Sequence, residues 1–254
     1  MALPLLFPTT WLVPAATAAW AVWTWAHEQA IEREKERARI TALYVNPFLS
    51  ACEDLQSRIY KLVELDGLHK LRKRYPDGSF AEETLYYLVR FYGWLYAVSR
   101  YGPYTQDAVV IQHSAAIRRA FSTSSGDHEV GPFNFFPAEQ KALGKMIMHS
   151  MEGEFGHEMD TISYYEFRDV IQSPYRMPES SAVAQTLEML HKAEHSEDIV
   201  GRERLIVAQN HLVDLLDYLE KKLGYSYFPA TRKKCSSFRQ VKSAEYRPSI
   251  LAQA

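Results

Sequence analysis

The first 26 residues of this 254-residue chain contain no charged side chain, and they hold four of its five tryptophans. As an α-helix, the 22 residues from 5 to 26 would extend for roughly 33 Å, enough to cross a bilayer core about 30 Å thick. Trp11 lies near one end, and Trp23 and Trp25 lie near the other, as in the aromatic belts of membrane spans. This pattern predicts an N-terminal transmembrane helix.

The same segment is also compatible with a cleaved signal peptide or a buried core helix. A signal peptide would begin with basic residues, which residues 1–4 lack, although residues 16–19 resemble a cleavage site. A buried core helix is rarely this long, uncharged and rich in tryptophan at the very terminus of a chain. The transmembrane anchor in residues 1–26 is therefore the favoured prediction.

The residues that follow this segment predict its orientation. Residues 27–46 read as a charged stalk helix, which is expected to end where Asn46 precedes Pro47 because a residue before proline avoids the helical region. The stalk carries basic side chains and the N-terminal tail has none, so the positive-inside rule predicts an N-terminus outside and the bulk of the chain in the cytoplasm. The predicted location is the inner membrane, with the lipid bilayer as partner. The basic residues are Arg33, Lys35, Arg37 and Arg39.

The remainder of the chain predicts an all-α fold, with a cytoplasmic helical bundle in residues 47–223. Apolar residues recur at helical spacing, no stretch shows the alternation of a half-buried strand, and Ser163 with Glu166 forms a capping box. Residues 152–161 are expected to be irregular and acidic. Helices are predicted at about 47–66, 80–100, 105–121, 138–151, 163–171, 181–195 and 201–223.

Basic residues concentrate in two places outside the stalk, one near residue 70 and one in the tail. Residues 224–254 have few apolar runs and are predicted to form a disordered tail. Anionic headgroups attract such cations on a cytoplasmic surface, which predicts contact with the membrane surface; a merely solvated tail, or contact with a partner, stays open. The residues concerned are Lys70, Arg72, Lys73, Arg74, Arg232, Lys233 and Lys234.

The chain carries one candidate catalytic motif, a pair of Glu-x-x-His sequences. Glu154 with His157 and Glu188 with His191 would each offer a carboxylate and an imidazole on one face of a helix, the pattern of helical-bundle sites that bind two iron or manganese ions. About 0.7 such matches are expected by chance from the 9 histidines and the glutamate content of this chain. The favoured expectation is therefore no cofactor, with a membrane-tethered di-metal carboxylate enzyme as the alternative.

A third class of function is suggested by aromatic residues in the third predicted helix. Tyr86, Tyr92 and Trp94 could line a pocket for a small molecule, which would make the protein a sensor. Rings at helical spacing more often belong to the core of a bundle, and the sequence does not separate the two possibilities.

One stretch carries a resemblance to other proteins. Residues 46–49 (NPFL) and 53–60 (EDLQSRIY), followed by Tyr92, Gly93 and Trp94, resemble a group of uncharacterised bacterial single-pass membrane-anchored helical proteins. The similarity covers roughly the first 150 residues. It implies a bacterial, membrane-associated helical protein, and it supplies no activity and no functional residues.

The favoured function is a membrane-anchored scaffold or interaction subunit that presents a helical bundle at the cytoplasmic membrane surface. A net charge of −2 argues against a dedicated nucleic-acid-binding protein. The expected partner is another membrane-associated protein, and helix packing could also build an oligomer.

Overall fold

The computed structural model describes residues 12–64, 79–104, 106–122, 133–153, 156–173, 181–193, 202–226 and 232–236. These residues are mostly helical, so the predicted helical class is confirmed, with one β-hairpin as the exception. In chain order the elements are α1 (Leu12–Ile40), a π-helical turn (Thr41–Val45), α2 (Asn46–Glu64), α3 (Ser79–Tyr101), α4 (Ala108–Ala120), α5 (Pro137–Ile147), β1 (Met148–Gly153), β2 (Gly156–Thr161), α6 (Tyr164–Ile171), α7 (Ala182–Ala193) and α8 (Arg202–Leu223).

Helix α1 joins the uncharged N-terminal segment to the charged stalk in one continuous helix. Within the described residues, no helix is long and apolar enough to cross a membrane. The predicted transmembrane helix is therefore not supported by the described part of the chain, and residues 5–11 of the predicted span lie outside it. The physical reason is length, since the uncharged part of α1, residues 12–26, rises only about 22 Å.

The chain does not break where the stalk was predicted to end. A π-helical turn covers residues 41–45, and the Asn46 amide donates a hydrogen bond to the carbonyl of Thr41, five residues earlier. Helix α2 begins directly after it, with Pro47 in its first turn, where a missing N–H costs little. The predicted interruption at Asn46 is wrong because the π turn accommodates the proline without leaving the helical path.

The core forms around two long helices. Helix α3 packs against α2 and α5, and α8 packs against α2 and α4. The apolar face of α2 that was predicted from its spacing is buried, including Cys52. Burial raises the pKa of the Cys52 thiol well above its ordinary value, so this cysteine is a neutral core residue at pH 7. The largest fully buried side chains are Trp94, Phe48, Phe91, Phe121, Phe135 and Phe167.

Two glycines bring α3 and α5 into close contact. A Cβ atom at Gly144 would lie 2.7 Å from the carbonyl oxygen of Tyr92, and one at Gly93 would lie 2.7 Å from the Cγ2 atom of Ile147. The first contact is with backbone, which cannot move aside as a flexible side chain can. The distance between these two helices therefore depends on Gly144.

Helix α4 is tied to α8 by the residue that caps it. Asp107 accepts hydrogen bonds from the amides of Val109 and Val110, and it also accepts one from the Tyr218 hydroxyl and pairs with the Lys222 ammonium. Burial alone would raise the pKa of Asp107, but these bonds, led by the one from Lys222, lower it to about 2. The capping box predicted at Ser163 and Glu166 is confirmed at the start of α6.

The prediction that no strand exists is wrong for residues 148–161. Strands β1 and β2 pair antiparallel, with Met148 opposite Thr161 and Gly153 opposite Gly156. The Ile162 amide donates to the carbonyl of Ile147 over 2.9 Å, which closes the base of the hairpin. The fifth helix therefore ends at Ile147 rather than at 151. Both strands are largely polar, so they lack the apolar alternation by which a strand is recognised in a sequence.

Candidate functional site

Part of the C-terminal tail lies in a groove between α2 and α8. Residues 232–236, called here the docked segment, form neither helix nor strand and are held in part through their main chain. The fully buried amide of Gln209 donates to the Lys233 carbonyl over 2.7 Å and accepts from the Cys235 amide over 2.9 Å. Asn210 accepts from the same amide and donates to the Cys235 carbonyl over 3.2 Å. The side-chain amides of Gln209 and Asn210 thus form hydrogen bonds with the main chain of the docked segment, as a neighbouring strand does in a sheet.

The first residue of the docked segment is held by its charge. The Arg232 guanidinium pairs with both carboxylate oxygens of Glu220, over 2.8 and 2.9 Å, in the bidentate geometry that gives strong charge-assisted hydrogen bonds. It also bonds Glu53 on α2, and its side chain is only 6% exposed. The hydrogen bonds that Arg232 donates to Glu220 and Glu53 raise the pKa of Arg232 further, against the effect of burial. Arg232 therefore connects α2, α8 and the tail.

The rest of the groove is complementary to the docked segment in charge and shape. Lys234 pairs with Asp214 over 2.6 Å, and the Ser236 amide donates to Glu64 over 2.9 Å. The Cys235 side chain is buried, and burial raises the pKa of its thiol to about 12. The groove thus offers carboxylates to the basic residues, and the Cys235 side chain joins the hydrophobic core next to the Glu64 carboxylate.

These contacts change the predicted role of the tail. The description of residues 224–254 as a disordered tail does not fit residues 232–236, and the burial of Arg232 does not fit a contact with lipid headgroups. Lys234 is engaged by Asp214, whereas Lys233 is exposed. The other residues predicted to meet the membrane, Lys70, Arg72, Lys73 and Arg74, lie outside the described residues. One signal in the sequence pointed to the groove: the polar residues Gln209 and Asn210 directly follow the apolar residues 205–208 of α8.

The residues of the predicted metal site are not placed on two helices. His157 lies in β2, so it cannot share a helical face with Glu154, which lies outside the described residues. The helical geometry assumed for this pair is therefore wrong, because a hairpin stands in place of the helix. Glu188 and His191 do lie on one helix, α7, and both are exposed. In the described residues, neither belongs to a group of three or more metal-ligating side chains.

A different histidine pair comes together between α4 and α8. The Nδ1 atoms of His113 and His211 are 3.0 Å apart, and a carboxylate oxygen of Asp214 lies within 4.8 Å of both imidazoles. Two imidazoles and one carboxylate can bind a transition-metal ion, but the carboxylate here is already paired with Lys234. Burial and the neighbouring His113 lower the pKa of His211. The sequence shows His211 and Asp214 three residues apart, but not the contact with His113, 98 residues away.

The three residues of the predicted sensor pocket lie in three different places. Tyr86 packs on Phe167, and its hydroxyl donates to the Ile162 carbonyl over 3.0 Å. Trp94 is buried beside a polar cavity near the base of the stalk. Only Tyr92 faces a largely apolar cleft of about 420 Å³ between α3, α4 and α5. The predicted aromatic pocket therefore does not form from these three residues, although one of them lines a cleft.

Comparison of the chain with protein-family models, with curated proteins and with solved structures finds no match. The resemblance to bacterial membrane-anchored helical proteins therefore stays a prediction. The function has to be inferred from the residues that the fold brings together.

Proposed function

We propose that this protein is a membrane-attached scaffold. The N-terminal segment and the first half of α1 attach the chain to the bilayer. The helical body lies at the cytoplasmic face of the inner membrane and offers the groove between α2 and α8 to an extended segment of a partner protein. In the described structure, the chain's own docked segment fills that groove.

The observation that carries the proposal is a group of uncovered tryptophans on α1. Trp20, Trp23 and Trp25 are 65%, 55% and 62% exposed, and the rings of Trp20 and Trp23 lie 5.1 Å apart. Soluble monomers rarely leave such an apolar surface uncovered, and tryptophan prefers the interface between lipid and water. A membrane is the environment that covers these rings without another folded domain.

The distribution of these side chains favours lipid over a second helix as the covering partner. With about 100° between successive residues of a helix, Trp20, Val22, Trp23 and Trp25 point to different sides of α1 rather than forming one stripe. A helix dimer needs a stripe, whereas lipid covers a helix on all sides. The basic residues of the stalk follow at once, which supports the cytoplasmic orientation of the body.

Membrane fractionation tests this attachment. We expect the full chain to sediment with membranes and to resist extraction by high salt. Replacing Trp20, Trp23 and Trp25 together with glutamine should release most of the protein, because these rings are the largest exposed apolar side chains in the described part of α1. Ile31→Gln, which removes an exposed apolar residue from the charged half of α1, is the matched control and should stay with membranes. Unchanged sedimentation of the triple variant would contradict the proposal.

The chemistry of the groove defines the partner segment it accepts. The main chain of an extended segment forms the hydrogen bonds with Gln209 and Asn210. Because every sequence has this main chain, these bonds do not select a particular sequence. Glu53 and Glu220 select an arginine, and the buried position of Cys235 selects a small apolar side chain three residues further on. The expected partner therefore carries a basic, extended segment of the form Arg-x-x-Cys or a close equivalent.

A peptide-binding experiment tests this recognition. A chain that ends at residue 231 should bind a labelled peptide of residues 229–238 added separately, provided that thermal unfolding shows that the shortened chain is folded. The same peptide with alanine in place of the arginine should bind at least tenfold more weakly, because Glu53 and Glu220 would lose their partner. Equal binding of the two peptides, or no binding of either by the folded chain, would show that the groove does not recognise such segments.

A further inference from the structure

The cleft between α3, α4 and α5 is separate from the groove and from α1. Its volume of about 420 Å³ lies within the range of small-molecule sites in proteins. Most of its wall is apolar, with aliphatic side chains from α3 and α4. These include Leu95, Val98, Val110, Ile111 and Ala115.

Two buried hydroxyl groups in this wall have no hydrogen-bond partner. Tyr92 is 3% exposed and Ser114 is 7% exposed, and neither hydroxyl is bonded. Buried polar groups are almost always paired in folded proteins, so an unpaired group calls for a specific explanation. Burial raises the pKa of Tyr92 well above its ordinary value, so its hydroxyl is a neutral donor at pH 7. Both residues line the cleft, so the two unpaired hydroxyls belong to its wall.

Two cations line the same cleft. The Arg118 Nε atom donates to the Oε1 atom of Gln140 over 3.1 Å. The Nε2 atom of Gln140 donates in turn to the carbonyl of Arg118 over 2.9 Å, so the arginine is held in place from both ends. Lys141 is the next residue of α5. No carboxylate in the described residues pairs with Arg118 or Lys141.

We propose that this cleft binds a small organic acid with an apolar body. The carboxylate pairs with Arg118 and Lys141, oxygen atoms of the ligand accept hydrogen bonds from Tyr92 and Ser114, and the apolar body lies against the aliphatic wall. A strongly polar ligand such as a sugar phosphate would leave most of this wall in contact with polar groups. An uncharged hydrocarbon would leave the hydroxyls unpaired.

Titration calorimetry with a matched pair of probes tests the charge requirement. The full chain, in a nonionic detergent with the heat of protein-free micelles subtracted, is titrated with 3-phenylpropionate and with 3-phenylpropan-1-ol. We expect the acid to bind at least tenfold more tightly than the alcohol. Lys141→Gln should weaken binding of the acid several-fold and leave the alcohol unchanged. Equal affinities for both probes, or no heat above the micelle blank, would overturn the proposal.

A second pair of variants separates ligand binding from folding. Ser114→Ala removes an unpaired hydroxyl, so the thermal midpoint without ligand should stay the same or rise, while the affinity for the acid should fall several-fold. Tyr86→Phe removes a hydroxyl that is bonded outside the cleft, so it should lower the midpoint and leave the affinity unchanged. An unchanged affinity in Ser114→Ala, or an equal loss of affinity in Tyr86→Phe, would contradict a ligand at these hydroxyls.

Discussion

Arg232 shows how one residue can decide the state of a whole segment. Its guanidinium is nearly buried and meets carboxylates from two helices, so removing it leaves Glu53 and Glu220 close together without a cation. Breaking a buried pair of this kind costs roughly 3–5 kcal/mol, because the remaining charges stay desolvated. The docked segment would then be held by its main-chain bonds, by the Lys234–Asp214 pair at an exposed position and by the burial of Cys235.

Arg232→Ala should therefore expose the Cys235 thiol. In a Cys52→Ser background, which leaves one cysteine in the chain, we expect a maleimide to react with Cys235 at least tenfold faster in the variant than in its parent. Lys233→Ala is the matched control, since Lys233 is exposed, and it should leave the rate unchanged. Equal rates in Arg232→Ala and its parent would mean that the ion pairs do not hold the segment in the groove.

The contact between His113 and His211 should make stability depend on pH. Burial and the neighbouring His113 hold the pKa of His211 in the folded chain below its ordinary value of 6.5, with Lys234 and Arg119 adding to the effect and Asp214 opposing it. The unfolded chain therefore takes up a proton first as the pH falls. The contribution of His211 to the free energy of unfolding is complete above about pH 6.5 and is lost as the pH falls through the lowered pKa.

Urea unfolding at pH 7.5 and pH 5.5 measures this dependence. We expect His211→Gln to reduce the difference in unfolding free energy between the two pH values. His149→Gln, which changes an exposed histidine of β1, should keep the full difference. If the unfolding free energy of His211→Gln changed between the two pH values as much as that of the parent chain, His211 would not be the source of the pH dependence.

At the scale of elements, the start of α4 depends on Asp107. Asp107→Ala removes a helix cap, the Tyr218 hydrogen bond and the partner of Lys222, so we expect a loss of about 2 kcal/mol in unfolding free energy at pH 7. Because the pKa of Asp107 is lowered from 3.8 to about 2, its contribution is present above about pH 4 and is lost as the pH falls towards 2. Thermal unfolding measures this acid dependence. When the pH is lowered from 7 to 2.5, Asp107→Ala should lose less stability than the parent chain.

The control for this prediction is Asp169→Ala, at an exposed position of α6. It should leave both the stability at pH 7 and the acid dependence close to those of the parent. If Asp107→Ala lost no more stability than Asp169→Ala, the cap would not connect α4 to α8 in the way that the geometry indicates.

The sequence predicted the elements whose signals are local. Helices α2, α3 and α8 follow from apolar spacing, and the cap at Ser163 follows from a pattern four residues long. The hairpin could not be predicted in this way, since its strands are polar and its pairing depends on register. The π turn was not predicted because Pro47 suggests a break in the helix. Whether a proline breaks a helix depends on the backbone conformation of the residues before it.

At the scale of the whole molecule, the candidate sites depend on contacts between distant parts of the chain. Arg232 meets Glu53 across 179 residues, and the cleft joins three helices whose polar residues look unrelated in the sequence. Neither arrangement has a local signal, so neither could be predicted without the fold. By contrast, the tryptophans of the uncharged N-terminal segment were visible at once, and their exposure on α1 supports the attachment proposed from them.

Quenching of tryptophan fluorescence by lipids tests that attachment most directly. A full chain that keeps only Trp23, with the other four tryptophans replaced by phenylalanine, is reconstituted into vesicles whose acyl chains carry bromine. A matched chain that keeps only Trp94, which is buried in the bundle, serves as the control. We predict strong quenching of Trp23 and almost none of Trp94. Equal emission of Trp23 in brominated and ordinary vesicles would contradict a membrane-attached α1.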